Sequence, residues 1–528
     1  MTATKTKTER LPMEAFIDKF KRARNAGTPI FAITCFDPSA TMSRLQKAVV
    51  NGAEDDDESS APIIQWDIIE GWRHRNKAGE MAIEKALEVT TASQMETINP
   101  TESLKIAISL PKDERIVLFM MNTHHYFDQD SFLQALWNAR DIFKSNLISL
   151  VLIGPDFDIP AQLQHDIFLM DEPLPTEDEI KAIIDGVVDG TEAKVTDAHK
   201  KAAIDALRGL SAFPAESSVA MNLRKSGLDI EGLWDVKKKL IGTTPGLRVY
   251  AGKETFTDIG GCDQIKRFMK GVINGKDAPN VIVFLDEGEK LFAGATGNVG
   301  DSSGVAQDQL ASMLSYMEDN ESDGAIFYGP PGAAKSAIAK ATGNEAGVPT
   351  IMFDLGGMKG SLVGKSEAQV RNALKVITAV GGGKAFFVMT CNAIVELPPE
   401  LRRRFTSGIF FFDLPSKAER EVIWPLYLKK WGLDEKLVKL VDDEGWTGAE
   451  IRNCCRMAYR QSIDITEAAK YIVPVSQSAG QQIMQLRKQA SGAYLSANED
   501  GVYQWANFDD AAKQKAPAPA PRKLTLDD

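Results

Sequence analysis

Two stretches of this chain carry residues whose types and spacing suit phosphate chemistry. In the first, the apolar run Ala325-Ile326-Phe327-Tyr328 leads into Gly329-Pro330-Pro331-Gly332-Ala333-Ala334, and Lys335-Ser336-Ala337 then opens a run of good helix formers. A loop of exposed backbone N–H groups at a helix N-terminus can wrap a triphosphate, with lysine on the β and γ phosphates and a hydroxyl on Mg²⁺. The usual pattern has glycine just before the lysine. Here that position is Ala334, and a positive φ there would cost it on the order of 1 kcal/mol. The second stretch, Val281-Ile282-Val283-Phe284-Leu285-Asp286-Glu287, is an unbroken apolar run ending in two carboxylates, the pattern of a strand buried on both faces. Asp286 is expected to hold Mg²⁺ through its water shell, and Glu287 to orient and polarise an attacking water.

The elements that must position these groups are strands of one parallel sheet, each loop following a strand. Together the two stretches resemble the AAA+ ATPases, but in that family the phosphate loop precedes the acidic strand. In this chain Asp286 comes 49 positions before Lys335. Downstream, a helix-like Ser366 to Ala379 runs through Gly381-Gly382-Gly383 into a strand from Ala385 to Thr390, where the family would insert its acidic strand and helix. The segment from about Asn280 to Asp323 is therefore read as that strand and helix moved ahead of the loop. A sheet needs neighbours in space rather than in sequence, so the site can still assemble.

The resemblance implies further roles. Asn392, after Val388-Met389-Thr390-Cys391, matches the sensor that reads the γ-phosphate and helps position water. Arg402-Arg403-Arg404-Phe405 matches the stretch that carries arginine fingers, with Arg404 the best candidate and Arg402 and Arg403 beside it. Such a finger acts on a neighbouring subunit's nucleotide, where a planar cation stabilises the transferring phosphoryl group. Asp258, Ile259 and Gly260, within Thr255 to Gly261, resemble the segment that packs beside the adenine, and Ala449 and Arg452 lie in a stretch resembling the second sensor of the lid. The implied cofactors are ATP and Mg²⁺, and the implied assembly is a homo-oligomer, a hexameric ring acting on a protein substrate or adaptor. Gly356 to Gly364 occupies the place of the central pore loop. It offers only Met358, Leu362 and Val363 to grip a chain, so a pore loop and a plain glycine-rich connection both stand.

The first half is also α/β. Helix-like Pro12 to Ala26 and Phe132 to Lys144 alternate with strand-like Pro29 to Thr34, Pro62 to Trp66, Arg115 to Met121 and Ile148 to Ile153. The cadence of Ile153 to Pro173 repeats in Thr390 to Pro415, which suggests a second copy of the fold. Its chemistry is missing. Cys35-Phe36-Asp37-Pro38-Ser39 follows the first strand without glycine or lysine, and Asn122-Thr123 stands where carboxylates would be needed. The adjacent His124-His125 reads as polar strand-end residues rather than as a metal pair.

The expected fold is an α/β, parallel-sheet P-loop NTPase core of AAA+ type with permuted strand order and a helical lid, preceded by a degenerate AAA-like domain. The expected division is 1–175 degenerate domain, 176–250 helical lid or linker, 251–415 ATPase core, 416–506 lid and extension, and 507–528 a Pro/Ala tail. An inactive first domain before one active module resembles the Ycf-type AAA proteins of cyanobacteria and algal plastids.

Composition bounds the partners. The chain has 528 residues, 44% hydrophobic and 25% charged, which suits two or three globular domains. A net charge of −12 argues against a broad nucleic-acid or anionic-membrane surface. Cys35, Cys262, Cys391, Cys454 and Cys455 are spaced too irregularly for a metal knuckle or disulfide framework, so a reducing cytoplasm is expected. No apolar run approaches a membrane span, Met1 to Arg10 lacks a signal-peptide core, and no H-E-x-x-H zinc-protease motif occurs. After the lid come a helix-like Ser476 to Gln489 and a strand-like Gly501 to Trp505. The function expected is ATP hydrolysis in a ring that remodels a protein. The alternatives are an ATP-switched scaffold with little turnover and a nucleic-acid motor.

Overall fold

Apolar runs that bury both faces build two separate sheets, one in each half of the chain. The computed structural model describes residues 12–505, apart from 36, 51–59, 113, 158, 293–304, 359–364, 435–437 and 439–440. Glu54-Asp55-Asp56-Asp57-Glu58, an acidic run read as a connecting loop, Leu362 and Val363 of the candidate pore loop, and the Pro/Ala tail lie outside the described residues. Contacts divide the chain into two units, 1–233 and 234–528.

In the first unit, β1 (Ile30–Thr34), β2 (Ile63–Asp67), β3 (Gly71–His74), β4 (Val117–Met121), β5 (Ser149–Gly154) and β6 (Phe168–Asp171) form one sheet in the order β3-β2-β4-β5-β1-β6. All neighbours pair in parallel except β2 and β3, a hairpin not anticipated from sequence. Side chains alternate across this sheet. Ile30, Ala32, Leu118 and Met120 pack into one core, and Phe31, Ile33, Val117 and Phe119 into another. Helices Glu177–Val188, Asp197–Leu207 and Ala212–Asn222 follow, then a two-stranded hairpin of β7 (Leu223–Arg224) and β8 (Gly227–Leu228).

The second unit is built on β9 (Leu247–Val249), β10 (Val281–Leu285), β11 (Asp323–Tyr328), β12 (Thr350–Phe353), β13 (Ala385–Cys391), β14 (Ile409–Phe411) and β15 (Leu495–Ser496). Their order is β15-β14-β11-β13-β10-β12-β9, parallel throughout except for β9 against β12. All five residues of β10 are buried. Val281, Val283 and Leu285 face one core while Ile282 and Phe284 face the other. Each such fully buried side chain contributes roughly 1.5–3 kcal/mol.

The two sheets share a spatial pattern that the chain traces differently. In the first, the five-strand path β2-β4-β5-β1-β6 has the first strand made fourth in space. In the second, the corresponding path is β12-β10-β13-β11-β14, and the strand in that fourth place, β11, is made after β10.

The carboxyl-terminal segment departs from its sequence reading. The expected long helix breaks at Ala479 into Val475–Ser478 and Gly480–Ala490. The run Gly501 to Trp505 contributes only a bridge from Val502 to Leu495, and it is Leu495–Ser496 that extends the sheet alongside β14. Tyr503 donates its hydroxyl to Asp413 at 2.6 Å, and Arg487 pairs with the same carboxylate at 2.8 Å.

Candidate active site

The loop between β11 and helix Lys335–Ala346 has backbone demands that explain its composition. Gly329 has φ of 150° and Gly332 has φ of 82°. A Cβ on Gly329 would fall 2.2 Å from the Phe412 carbonyl oxygen. Ala334 stands in the left-handed region at φ 67°, so the strain anticipated for its Cβ is present. It is also the N-cap and offers no side-chain acceptor, which leaves the first N–H groups of the helix open to an anion.

Lys335 is 6% exposed. Its Nζ donates to the carbonyl oxygens of Gly329 and Pro330, each at 2.7 Å, and to Asn392 Oδ1 at 3.0 Å. Burial pulls its pKa down to about 8, opposed first by the charge of Glu289 and then by Cys391, Asp286 and Glu287. Gly329 and Pro330 thus act by holding the lysine from behind. Pro331, Gly332, Ala333, Ala334, Lys335, Ser336 and Ala337 line a cavity of about 350 Å³.

The end of β10 meets this loop. Asp286 Oδ1 accepts from Ser336 Oγ at 3.0 Å and from Thr390 Oγ1 at 2.5 Å, and Thr390 Oγ1 accepts the Glu287 N–H at 3.0 Å. Glu287 lines the cavity in the left-handed conformation, φ 52°, and its carboxylate accepts from Lys290 Nζ at 2.8 Å. Asn392, at the end of β13, lines the cavity as well.

Ile259, Gly260, Ile423, Tyr427, Ala449 and Arg452 give the far side of the cavity an apolar wall with one cation. Other residues singled out in the sequence lie off this cavity. Asp258 turns back to cap its own turn, accepting from the Thr255 N–H at 2.8 Å, and does not line the cavity. Met358 is buried in the core beside Gly246 rather than offered to a substrate, because an unbranched thioether fills such a gap. Arg404, in the short helix Pro399–Arg404, pairs with Glu318 at 2.6 Å, and neither it nor Arg402 nor Arg403 lines the cavity.

Sequence reasoning missed four residues. Thr390 bridges the two strand ends as described. Glu289, two positions past Glu287, holds Asn392. Glu419 accepts the Cys262 N–H at 3.2 Å and the Asn498 amide at 3.2 Å, and both Glu419 and Asn498 line the cavity. An acidic residue so close to Asp286-Glu287 was a signal for Glu289. Asn498 had none, since it reaches the site through a two-residue strand.

Among the described residues, the corresponding end of the first sheet carries no such loop. There Glu172 accepts from Thr41 Oγ1 at 2.6 Å and pairs with Arg44 at 2.7 Å, while His124 and His125 stack 3.9 Å apart. Among the described residues, no three His, Cys, Asp or Glu side chains form a metal-binding group. That is unlike a zinc centre. A hydroxyl and one carboxylate oxygen 3.0 Å apart suit Mg²⁺, which is commonly held by one or two carboxylates together with substrate phosphates and water.

A parallel sheet with a glycine loop, a buried lysine and a carboxylate meeting a helix-opening serine defines a P-loop nucleotide-binding protein. Residues 16–172 match the family model of the SpoVK-like AAA ATPase N-terminal domain. Residues 325–381 match that of the ATPase family associated with various cellular activities, a stretch that begins after Asp286. Both matched models are of AAA ATPases, and the chain resembles the Ycf46-type AAA+ proteins. It is 22% identical over 540 residues to the uncharacterized AAA domain-containing protein ycf46 of Guillardia theta, covering 91% of this chain and 96% of that one. The same-named protein of Trieres chinensis is 24% identical over 494 residues, covering 82% and 89%. The ATP-dependent zinc metalloprotease FtsH of Mycoplasmoides gallisepticum is 30% identical over 109 residues, which cover 19% of this chain and 14% of that one. The match to the AAA model implies nucleotide binding. No described helix is long and apolar enough to cross a membrane.

Proposed function

We propose that this chain hydrolyses ATP to ADP and phosphate and uses the cycle, in a hexameric ring of identical subunits, to remodel a protein partner. The observation that carries the reading is the 3.0 Å contact between Ser336 Oγ and Asp286 Oδ1, beside a buried Lys335. Ser336 and Asp286 would hold Mg²⁺, which would supply positive charge against the phosphates. The open N–H groups from Lys335 onward receive the phosphates, and Lys335 turns from its carbonyl acceptors to the β and γ oxygens. Glu287 polarises the attacking water, with Asn392 beside it. Arg404 of an adjacent subunit stabilises charge on the transferring group, which accounts for its position off its own cavity.

We read the second unit as a permuted AAA+ core, its acidic strand β10 made before the phosphate-loop strand β11. The unpermuted path of the first sheet supports this, since both units share one spatial pattern.

Steady-state phosphate release tests the enzyme reading. Wild type is expected to turn over, Lys335→Ala to lose nucleotide binding, and Glu287→Gln to bind ATP without hydrolysing it. A second reading, an ATP-switched scaffold, is favoured by one observation: Glu287 is engaged by Lys290. Equal slow turnover in wild type and Glu287→Gln, with ATP-dependent assembly in both, would establish it.

A further inference from the structure

Glu289 is a charged group that the cycle above does not use, and it is the carboxylate that most strongly opposes the lowering of the Lys335 pKa. It is 5% exposed, on the one-turn helix Gly288–Leu291 that follows Asp286-Glu287. Its Oε1 accepts two hydrogen bonds from one residue, the Asn392 backbone N–H at 3.2 Å and the Asn392 Nδ2 at 2.9 Å. Its Oε2 receives no N–H or O–H donor, while the Cys391 thiol hydrogen-bonds the same carboxylate. The remaining amide atom, Asn392 Oδ1, accepts from Lys335 Nζ. This network fixes which way the amide points. An ammonium only donates and a carboxylate only accepts, so Oδ1 must face Lys335 and Nδ2 must face Glu289. Flipping the amide would set like against like at both ends.

We propose that Glu289 is a positioning residue of the nucleotide site, which acts through Asn392 by holding its amide so that the oxygen, an acceptor, faces the phosphate end of the cavity. An acceptor there can accept a hydrogen bond from the attacking water and hold its lone pair toward the phosphorus, while Glu287 polarises it. An asparagine freed to flip would turn its donor to that end about half the time and orient the water less well. This rests on the hydrolytic reading above. The burial of this carboxylate bears on the cost of the arrangement: its charge is held there by the two Asn392 bonds, by the Cys391 thiol and by the ammonium one residue beyond. Because Glu289 does not line the cavity, it meets neither nucleotide nor water itself.

A double-mutant cycle in the full-length protein tests this. The variants are Glu289→Leu, Glu289→Gln, Asn392→Ala and the pair Glu289→Leu/Asn392→Ala, each checked for folding by thermal melting. Glu289→Leu is expected to lower kcat about ten- to hundredfold with KM for ATP within about threefold, the behaviour of outer-shell partners that orient an inner group. Glu289→Gln keeps an acceptor oxygen at the same reach and is expected to retain most of kcat. In the Asn392→Ala background the leucine change is expected to cost less than about twofold further, since the residue it acts through is gone. Additive losses in the cycle would overturn the proposal. So would a Glu289→Gln variant as impaired as Glu289→Leu, with ADP and ATP affinities falling alike, since that is the signature of a packing role. If wild type released no phosphate above Lys335→Ala, the hydrolytic reading would fall separately. The cycle would then be read in the ratio of affinities for a non-hydrolysable ATP analogue and ADP, where additivity again rejects the coupling.

Discussion

Lys335 Nζ and Asn392 Oδ1 stand 3.0 Å apart, joining the loop after β11 to the end of β13. The contact places the lysine proposed to grip phosphate beside the asparagine proposed to sense it, so the lysine's surroundings bear on how the proposed site responds to nucleotide and to pH.

Lys335→Ala removes the buried ammonium from the phosphate loop. Two charge-assisted hydrogen bonds to phosphate are worth about 1.5–3 kcal/mol each, so ATP affinity is expected to fall at least about a hundredfold. Fluorescent-nucleotide titration measures it, and full affinity in the variant would contradict the assigned phosphate site.

Lys335 also sets a pH dependence. Its folded pKa, about 8, lies below its ordinary value of 10.5, so between these two values the unfolded chain binds more protons and this group's contribution to stability rises with pH. Phosphate binding has the opposite dependence because it needs the ammonium. ATP affinity is expected to fall as pH rises above about 8, approaching tenfold per unit, and binding near pH 8.5 should take up a proton. Calorimetric titration in two buffers of different ionisation enthalpy reads that uptake directly.

Ala334→Gly relieves a Cβ held at φ 67°. The strain relieved is about 1 kcal/mol, while glycine adds about 0.4–1 kcal/mol of unfolded-chain entropy, so the melting temperature should barely move. The loop already has the conformation that glycine would favour, and nucleotide affinity should change less than about threefold. A tenfold gain would mean that Ala334 limits the site.

Arg404→Ala is expected to lower turnover about a thousandfold or more if it serves a neighbouring subunit. Mixing Arg404→Ala with Glu287→Gln, each inactive alone, should then restore activity at interfaces that join an intact Glu287 to an intact Arg404. Absence of recovery in mixed assemblies would place the arginine's role within its own subunit. Glu318→Ala, which removes only an exposed partner of Arg404, should change stability by less than about 1 kcal/mol.

The groups that could be read from sequence are those whose signal is local. An unbroken apolar run such as Val281 to Leu285 announces a doubly buried strand, glycines before Lys335-Ser336 announce a phosphate loop, and Asn392 follows its strand at once. Each depends on residues a few positions apart, where backbone conformation and burial period act directly. The α/β class and the second copy of the fold in the first half were legible for the same reason.

What tertiary structure alone decided are the contacts between segments distant in the chain. The sequence led to the expectation that Asp286 and Ser336 meet despite their order; the contact itself exists because β10 and β11 both flank β13. Thr390 and Glu289 join the site because neighbouring strand ends converge, and Asn498 because a two-residue strand, too short to show any period, pairs with β14. Asp258 and Met358 lie in the expected segments but satisfy a cap and a core gap instead. Side-chain direction is settled by the partner that each group can reach in space, and a one-dimensional pattern does not contain that partner.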